Sequence, residues 1–377
     1  GAITTEVAFG NVALNLATGE LVGLGTTGVA AVRDLATNEN QLALIDAAQD
    51  DSAGGVTQFY GGRLVTDLLD AVDAGTSTAR VFELSSPEAY RGVAEYSVFA
   101  MDQLSVSPQR FVLDGEQATS VRLVGGNRDS QTLLGFVDYD VRNQGVAIQN
   151  DMGTSEGVVS FAVHAGTGEI GSRDLNVDVR DFGFAAGFTH VFDAVEGLES
   201  SFSVGFMSNS FDSTRATTAG ESKASFNGKS TFFGAGVGYT ADYGQVTARF
   251  ALDATYKDVE IEQATENNAV DVLNARQIDQ QNQAGTETKL GVDLSWSASN
   301  KLRLSSSLSV VDSDMDDETR MTSRVASEPV TATTTSRGLE RNYGTFGIGA
   351  DYSLGKKEKV QFRASTVGSD GAKLSLS

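Results

Sequence analysis

Taking every second residue from Gln245 to Tyr256 separates the stretch into two lists. Val246, Ala248, Phe250, Leu252, Ala254 and Tyr256 form one face; Gln245, Thr247, Arg249, Ala251, Asp253 and Thr255 form the other. A period of two is that of a β-strand with one apolar and one wet side. At about twelve residues the stretch is long for an ordinary strand and suits a tilted membrane-spanning one.

The pattern recurs from about residue 117 to the end. Val159, Phe161 and Val163 share a face, as do Phe182, Phe184, Ala186, Phe188 and Phe192. So do Phe202, Val204 and Phe206, then Phe233, Ala235, Val237 and Tyr239, then Leu290, Val292, Leu294 and Trp296. Leu302, Leu304, Leu308 and Val310 follow, then Phe346, Ile348, Ala350, Tyr352 and Leu354, then Val360, Phe362 and Ala364. The opposite faces hold Lys289, Asp293, Arg303, Asp351, Gln361 and Arg363 among serines and glycines. Short links at 193–200, 241–244, 297–300 and 355–359 alternate with long polar ones at 212–228, 258–287 and 312–341. Such alternation predicts an all-β, antiparallel up-and-down transmembrane barrel of about 12 strands, with tight turns on one rim and loops on the other. Tyr239, Tyr256, Trp296, Tyr343 and Tyr352 lie towards strand ends, where aromatic girdles form.

Before residue 117 the period changes. Residues 38–51 and 63–74 carry apolar positions at three- and four-residue spacing, which predicts short helices. Ser86, Pro87 and Glu88 make a helix start, and that helix is expected to run to about Leu104. Its residues are mixed on all sides, as in a helix enclosed by a polar wall. The expected organisation is a β-leaning stub over 1–37, a helical linker over 38–116 with the helix near 87–104 in the barrel lumen, and a barrel over 117–377.

Composition narrows the function. The chain of 377 residues has 41 Gly, 3 Pro, no Cys and a formal net charge of −22. Without cysteine there are no disulfides and no thiolate chemistry. All lysines lie from Lys223 onward, and the strong negative charge argues against nucleic acid as a partner. No run of 18 apolar residues is present, which excludes a transmembrane helix but not a β-barrel. The chain opens at Gly1 without a signal peptide, as a mature or excised segment does.

Candidate chemistry is sparse. Gly153-Thr154-Ser155-Glu156-Gly157 fits the G-x-S-x-G pattern, but a strand follows it where a nucleophile elbow needs a helix, so it reads as a hairpin turn. Asp312, Asp314 and Asp316 have the spacing of half a calcium loop, without its glycine and closing glutamate; they are a weak metal candidate in a solvated acidic loop. The glycines of G-A-G-V-G-Y sit within a strand and make room in a crowded lumen. His164 falls on the lumen face and His190 near a rim. Arg249, Arg303 and Arg363 are expected to pair with carboxylates of the inner helix. Neither a catalytic residue nor a cofactor is expected.

The linker phrases N-E-N-Q-L-A-L-I-D-A-A (38–48) and L-S-S-P-E-A-Y-R-G-V-A-E-Y (84–96) resemble those of bacterial autotransporters, the type V secretion family. The strand phrases F-G-F-A-A-G-F-T-H-V-F, F-F-G-A-G-V-G-Y and G-T-F-G-I-G-A-D-Y-S-L resemble that family's translocator β-domain. The resemblance covers about 38–377. It implies an anchor and translocation pore in the outer membrane of a Gram-negative bacterium. The implied partners are outer-membrane lipid, the outer-membrane assembly machinery and an upstream passenger of the same chain. The family usually ends in an aromatic residue, whereas this chain ends L-S-L-S. A general porin and a soluble acidic surface-layer or adhesin-type protein remain open as alternatives. A surface hydrolase using His164 and Ser155 is a third.

Overall fold

The computed structural model describes residues 6–9, 12–15, 20–23, 33–50, 58–59, 64–104, 115–130, 137–218, 220–268, 270, 275–316, 318–325, 331–355, 358–368 and 371–376. Among the described residues, four helices of eight residues or more precede the barrel: α1 (Glu39–Ala48), α2 (Leu64–Asp73), α3 (Thr78–Ser85) and α4 (Arg91–Leu104). α3 lies in a stretch that the spacing did not single out. α4 begins later than expected, because residues Glu88–Tyr90 form a 3₁₀ turn in front of it. Ser86 still acts at this start, its hydroxyl accepting the Glu88 N–H at 3.2 Å.

Twelve strands follow: β1 (Gln117–Asp129), β2 (Asp140–Thr154), β3 (Gly157–Gly171), β4 (Leu175–Val191), β5 (Leu198–Thr217) and β6 (Gly220–Tyr243). The rest are β7 (Val246–Ile261), β8 (Gln281–Ser297), β9 (Leu302–Ser313), β10 (Tyr343–Ser353), β11 (Lys359–Val367) and β12 (Gly371–Leu376). Each pairs antiparallel with the next, and β12 returns to β1 with Gly371 opposite Arg128 and Leu376 opposite Leu123. The twelve strands thus close into a barrel.

Polarity changes sides along the strands. In the half nearer the tight turns, apolar residues face outward: Phe182 and Phe184, Phe202 and Val204, Phe250 and Leu252, Leu290 and Leu294 are all exposed. In the other half the order inverts. On β4, Val177 and Val179 are buried while Asp178 and Arg180 face out. On β6, Ala224 and Phe226 are buried while Lys223, Ser225 and Asn227 face out. β7 switches between Tyr256 and Asp258. An outward apolar band spanning only part of each strand suits a bilayer on that part, with the strand extensions standing in water.

The connections correct one expectation. Residues 212–228 are not a loop: β5 and β6 run on as a paired hairpin as far as Thr217 facing Gly220. The other two long connections contain short strands, Ala264–Thr265, Arg276–Ile278, Glu318–Val325 and Thr331–Arg337, which form a four-stranded sheet at the loop rim. Helices α1–α3 build a small core with it, from Leu44, Ile45, Leu68, Val81, Phe82 and Ala332. Asn40 ties α1 to the sheet edge, its side-chain amide bonding both the N–H and C=O of Thr335 at 2.7 Å.

Tyr239, Tyr243, Trp296 and Tyr352 are exposed near the tight-turn ends of β6, β8 and β10. Tyr343 does not join them. It is buried at the loop rim under the Arg128 guanidinium, 4.7 Å from its ring. Tyr256 lies well within β7 rather than at its end.

Candidate functional site

The candidate site is the lumen, and α4 fills its loop-side half. Every residue of α4 except Asp102 is buried, which accounts for a sequence with no solvent-facing stripe. The barrel makes room with glycines. A side chain at Gly168 would strike the Tyr96 ring, and one at Gly183 would come within 2.8 Å of Leu104. Gly92 on the helix is constrained in the same way, since a Cβ there would lie 2.6 Å from Ile170 Cγ2.

Polar contacts fix the helix at several heights. Near its start, the Glu95 carboxylate accepts from Arg341 on the 314–342 connection at 2.9 and 2.5 Å, and Arg91 approaches it at 2.9 Å. Arg91 and Arg341 both also donate to the Asp316 carbonyl. The next residue, Tyr96, donates to Asp181 at 2.5 Å, and Asp181 also meets His164 Nε2 at 2.7 Å. Asn209 donates to Ser97 at 2.6 Å, and Gln103 to Asn143 at 2.5 Å. At the helix end, Asp102 lies 2.5 Å from Lys257 and 3.0 Å from Lys373, and Lys257 reaches Glu287 at 3.0 Å. Each of the Glu95 and Asp102 carboxylates faces two cations in a largely buried setting, the condition under which buried ions are tolerated, although the Nε atoms of Arg91 and Arg341 have no hydrogen-bond partner.

Above the helix, Tyr90 donates to Glu266 at 2.9 Å, and Arg215 grips that carboxylate at 2.7 and 2.6 Å. Burial is the largest single influence and raises the Glu266 carboxyl, but the Arg215 charge and the hydrogen bonds from Arg215, the Arg276 N–H and Tyr90 together outweigh it and hold the group below its ordinary value. Glu88 has the opposite balance. Burial dominates and lifts its carboxyl, although Ser86 and the Val137 N–H both donate to it.

The expected arginine pairs are corrected. Arg249 bonds Glu199 at 2.8 Å and approaches Asp293 at 3.4 Å, and Arg363 bonds Asp351. All of these carboxylates belong to the wall. The helix offers only two carboxylates, Glu95 and Asp102, and other cations take both. Arg303 sits on β9 with Asp351 opposite it in register.

The remaining residues singled out earlier do not gather into one place. His164 is buried in the lumen wall, whereas His190 stacks edge-on to Phe192 at 4.6 Å beside the 155–156 turn. Ser155 lies in that turn, where Thr154 pairs with Gly157. Asp312 lies next to the end of β9 opposite Thr288, the Asp314 carboxylate accepts the Thr286 N–H, and Asp316 contributes its carbonyl as above. Among the described residues no three His, Asp or Glu side chains converge as a metal site requires.

The path of the chain decides what this arrangement resembles. α1–α3 lie at the loop rim, α4 enters the lumen from there, and β1 starts at the opposite rim with Gln117 paired to Met152. The autotransporter β-domain family model matches residues 120–365. The chain belongs to the autotransporter β-domain family. Its barrel superposes on the translocator domain of the autotransporter NalP from Neisseria meningitidis with a TM-score of 0.56 at 17% identity, covering 76% of this chain and 95% of that one. The transport unit of AIDA-I from Escherichia coli is also similar, with a TM-score of 0.47, 13% identity and coverage of 75% and 97%. No curated protein matches the chain. As an autotransporter barrel, the molecule is a translocation-type outer-membrane β-barrel whose pore holds a helix contributed by its own chain.

Proposed function

We propose that this autotransporter barrel anchors in the outer membrane of a Gram-negative bacterium, tight turns towards the periplasm, and carries a passenger located upstream in the same chain to the surface. The outer-membrane assembly machinery and outer-membrane lipid are its other partners, and no residue is catalytic. The observation that carries the reading is the threading of α4. α4 enters the lumen from the loop rim, where α1–α3 lie, and β1 starts at the opposite rim, which fits a chain whose upstream part stands on the loop side. The Glu95–Arg341 and Asp102–Lys257 contacts then hold the last crossing segment in place.

An open porin fits less well, because the loop-side lumen is packed with buried side chains. A soluble adhesin-type protein would not expose Phe182, Phe184, Phe202, Phe233 and Phe250 on one continuous outer band. An epitope placed immediately before Glu39 tests the proposal. In intact cells it is expected to bind antibody and to be removed by added protease, while the barrel survives. An epitope reached only after the outer membrane is permeabilised contradicts it.

A further inference from the structure

A barrel seen from outside is convex, yet the bilayer-facing wall here carries a trough of about 810 Å³ running across β3 to β8. Its floor is made by small residues at outward positions, Ala186, Ala235 and Ala254. Register sets Ala235 between Ala254 on β7 and Phe202 on β5, while Ala186 lies in the next row between Phe161 on β3 and Val204 on β5. Its walls are aromatic. Phe233 faces Tyr256 in the next row, and Phe202 and Phe233 project with 61% and 58% of their surface exposed. Ser203 and Thr286 are the polar residues bordering it.

We infer that this trough is a binding site for a phospholipid acyl chain, held more tightly than the lipid around the rest of the barrel. The inference rests on the outward apolar band facing a bilayer and not on passenger transport. An apolar hollow lacks the polar partners that would hold ordered water. Left empty, it would forfeit dispersion contacts along its whole length. Acyl chains are the apolar material continuous with that band, and a flexible methylene chain can lie along a groove between aromatic ridges. A second copy of this chain is a poor occupant. A two-fold interface sets the same patch against itself, so trough would meet trough and the void would double.

The test is native mass spectrometry of the full chain in mild detergent, supplemented with phosphatidylethanolamine carrying 16-carbon chains. The wild type is expected to retain bound lipid after the detergent is stripped. Ala186→Phe/Ala235→Phe/Ala254→Phe, which fills the floor, is expected to lower retention by about tenfold. Ala235→Phe alone gives a partial loss that guards against misassembly of the triple variant. Ala350→Phe, on the outward face of β10 away from the trough, leaves retention unchanged. Heat-modifiable migration shows that each variant is folded. Equal retention in wild type and filled variants overturns the inference, as does a lipid-free dimer that the filled variants abolish.

Discussion

The Asp102 carboxylate at the end of α4 lies 2.5 Å from the Lys257 ammonium on β7, and 3.0 Å from Lys373 on β12. One helix carboxylate therefore joins two distant parts of the wall, one of them the strand that closes the barrel. Replacing Asp102 with Ala leaves Lys257 with Glu287 as its remaining carboxylate and takes from Lys373 the carboxylate it bonds. The expected cost is about 3 kcal/mol, the low end for removing one member of a buried ion pair because Glu287 remains. Denaturant unfolding in micelles measures it, and a loss under about 0.5 kcal/mol is what a surface-like pair would give.

Gly92 tests the fit of the helix against the wall. A side chain there meets Ile170 and Tyr139, so Gly92→Val is expected to destabilise the seated helix by about 1–3 kcal/mol through overpacking. The same change at exposed Gly75, which has open space around it but a positive φ, strains only a surface turn. Protease sensitivity of the linker is expected to rise for the first variant much more than for the second.

The pH response of the loop rim follows from Glu266 and Glu88, which act in opposite senses. Glu266 is held below its ordinary value, so its contribution is present above the unfolded carboxylate pKa and is lost as pH falls through the folded one. The rim is expected to loosen below about pH 4, and Glu266→Gln to lose that dependence, as followed by hydrogen exchange of residues 264–278. Glu88 is lifted by burial, so its ionisation opposes folding as pH rises above the ordinary glutamate value. Glu88→Gln is expected to stabilise at neutral pH, and the gain to disappear in acid.

The outward band predicts a sidedness that can be measured on one strand. Leu252→Lys places a charge on the bilayer face of β7 and is expected to cost about 2–4 kcal/mol if it lies near mid-bilayer. Thr255→Ser, on the lumen face of the same strand, is expected to stay within about 0.5 kcal/mol. Refolding yield into vesicles compares the two.

Much of the barrel was legible because lipid on one side and packed protein on the other impose a strict period of two, as at Phe250 and Leu252. Legibility failed where that contrast fails. Beyond the band, β5 and β6 have water outside and protein within, so Ser208, Ser210 and Asp212 alternate with Met207, Asn209 and Phe211 and look like a polar loop. The enclosed helix was legible from its lack of a polar face. Its partners were not: Glu95 and Arg341 are far apart in the chain, and only closure of the barrel and folding-over of the 314–342 connection bring them together. Any cation on the lumen parity is a candidate partner for Glu95 and Asp102, and Arg249 and Arg363 instead bond carboxylates of the wall.

Planar-bilayer conductance of the full chain tests the central claim, that α4 fills the lumen, most directly. The wild type is expected to stay closed or to pass small, brief currents. Glu95→Gln/Asp102→Ala, which releases both ends of the helix, is expected to open larger and longer ones. A wild-type channel with the same large, steady conductance as the double variant would contradict the account.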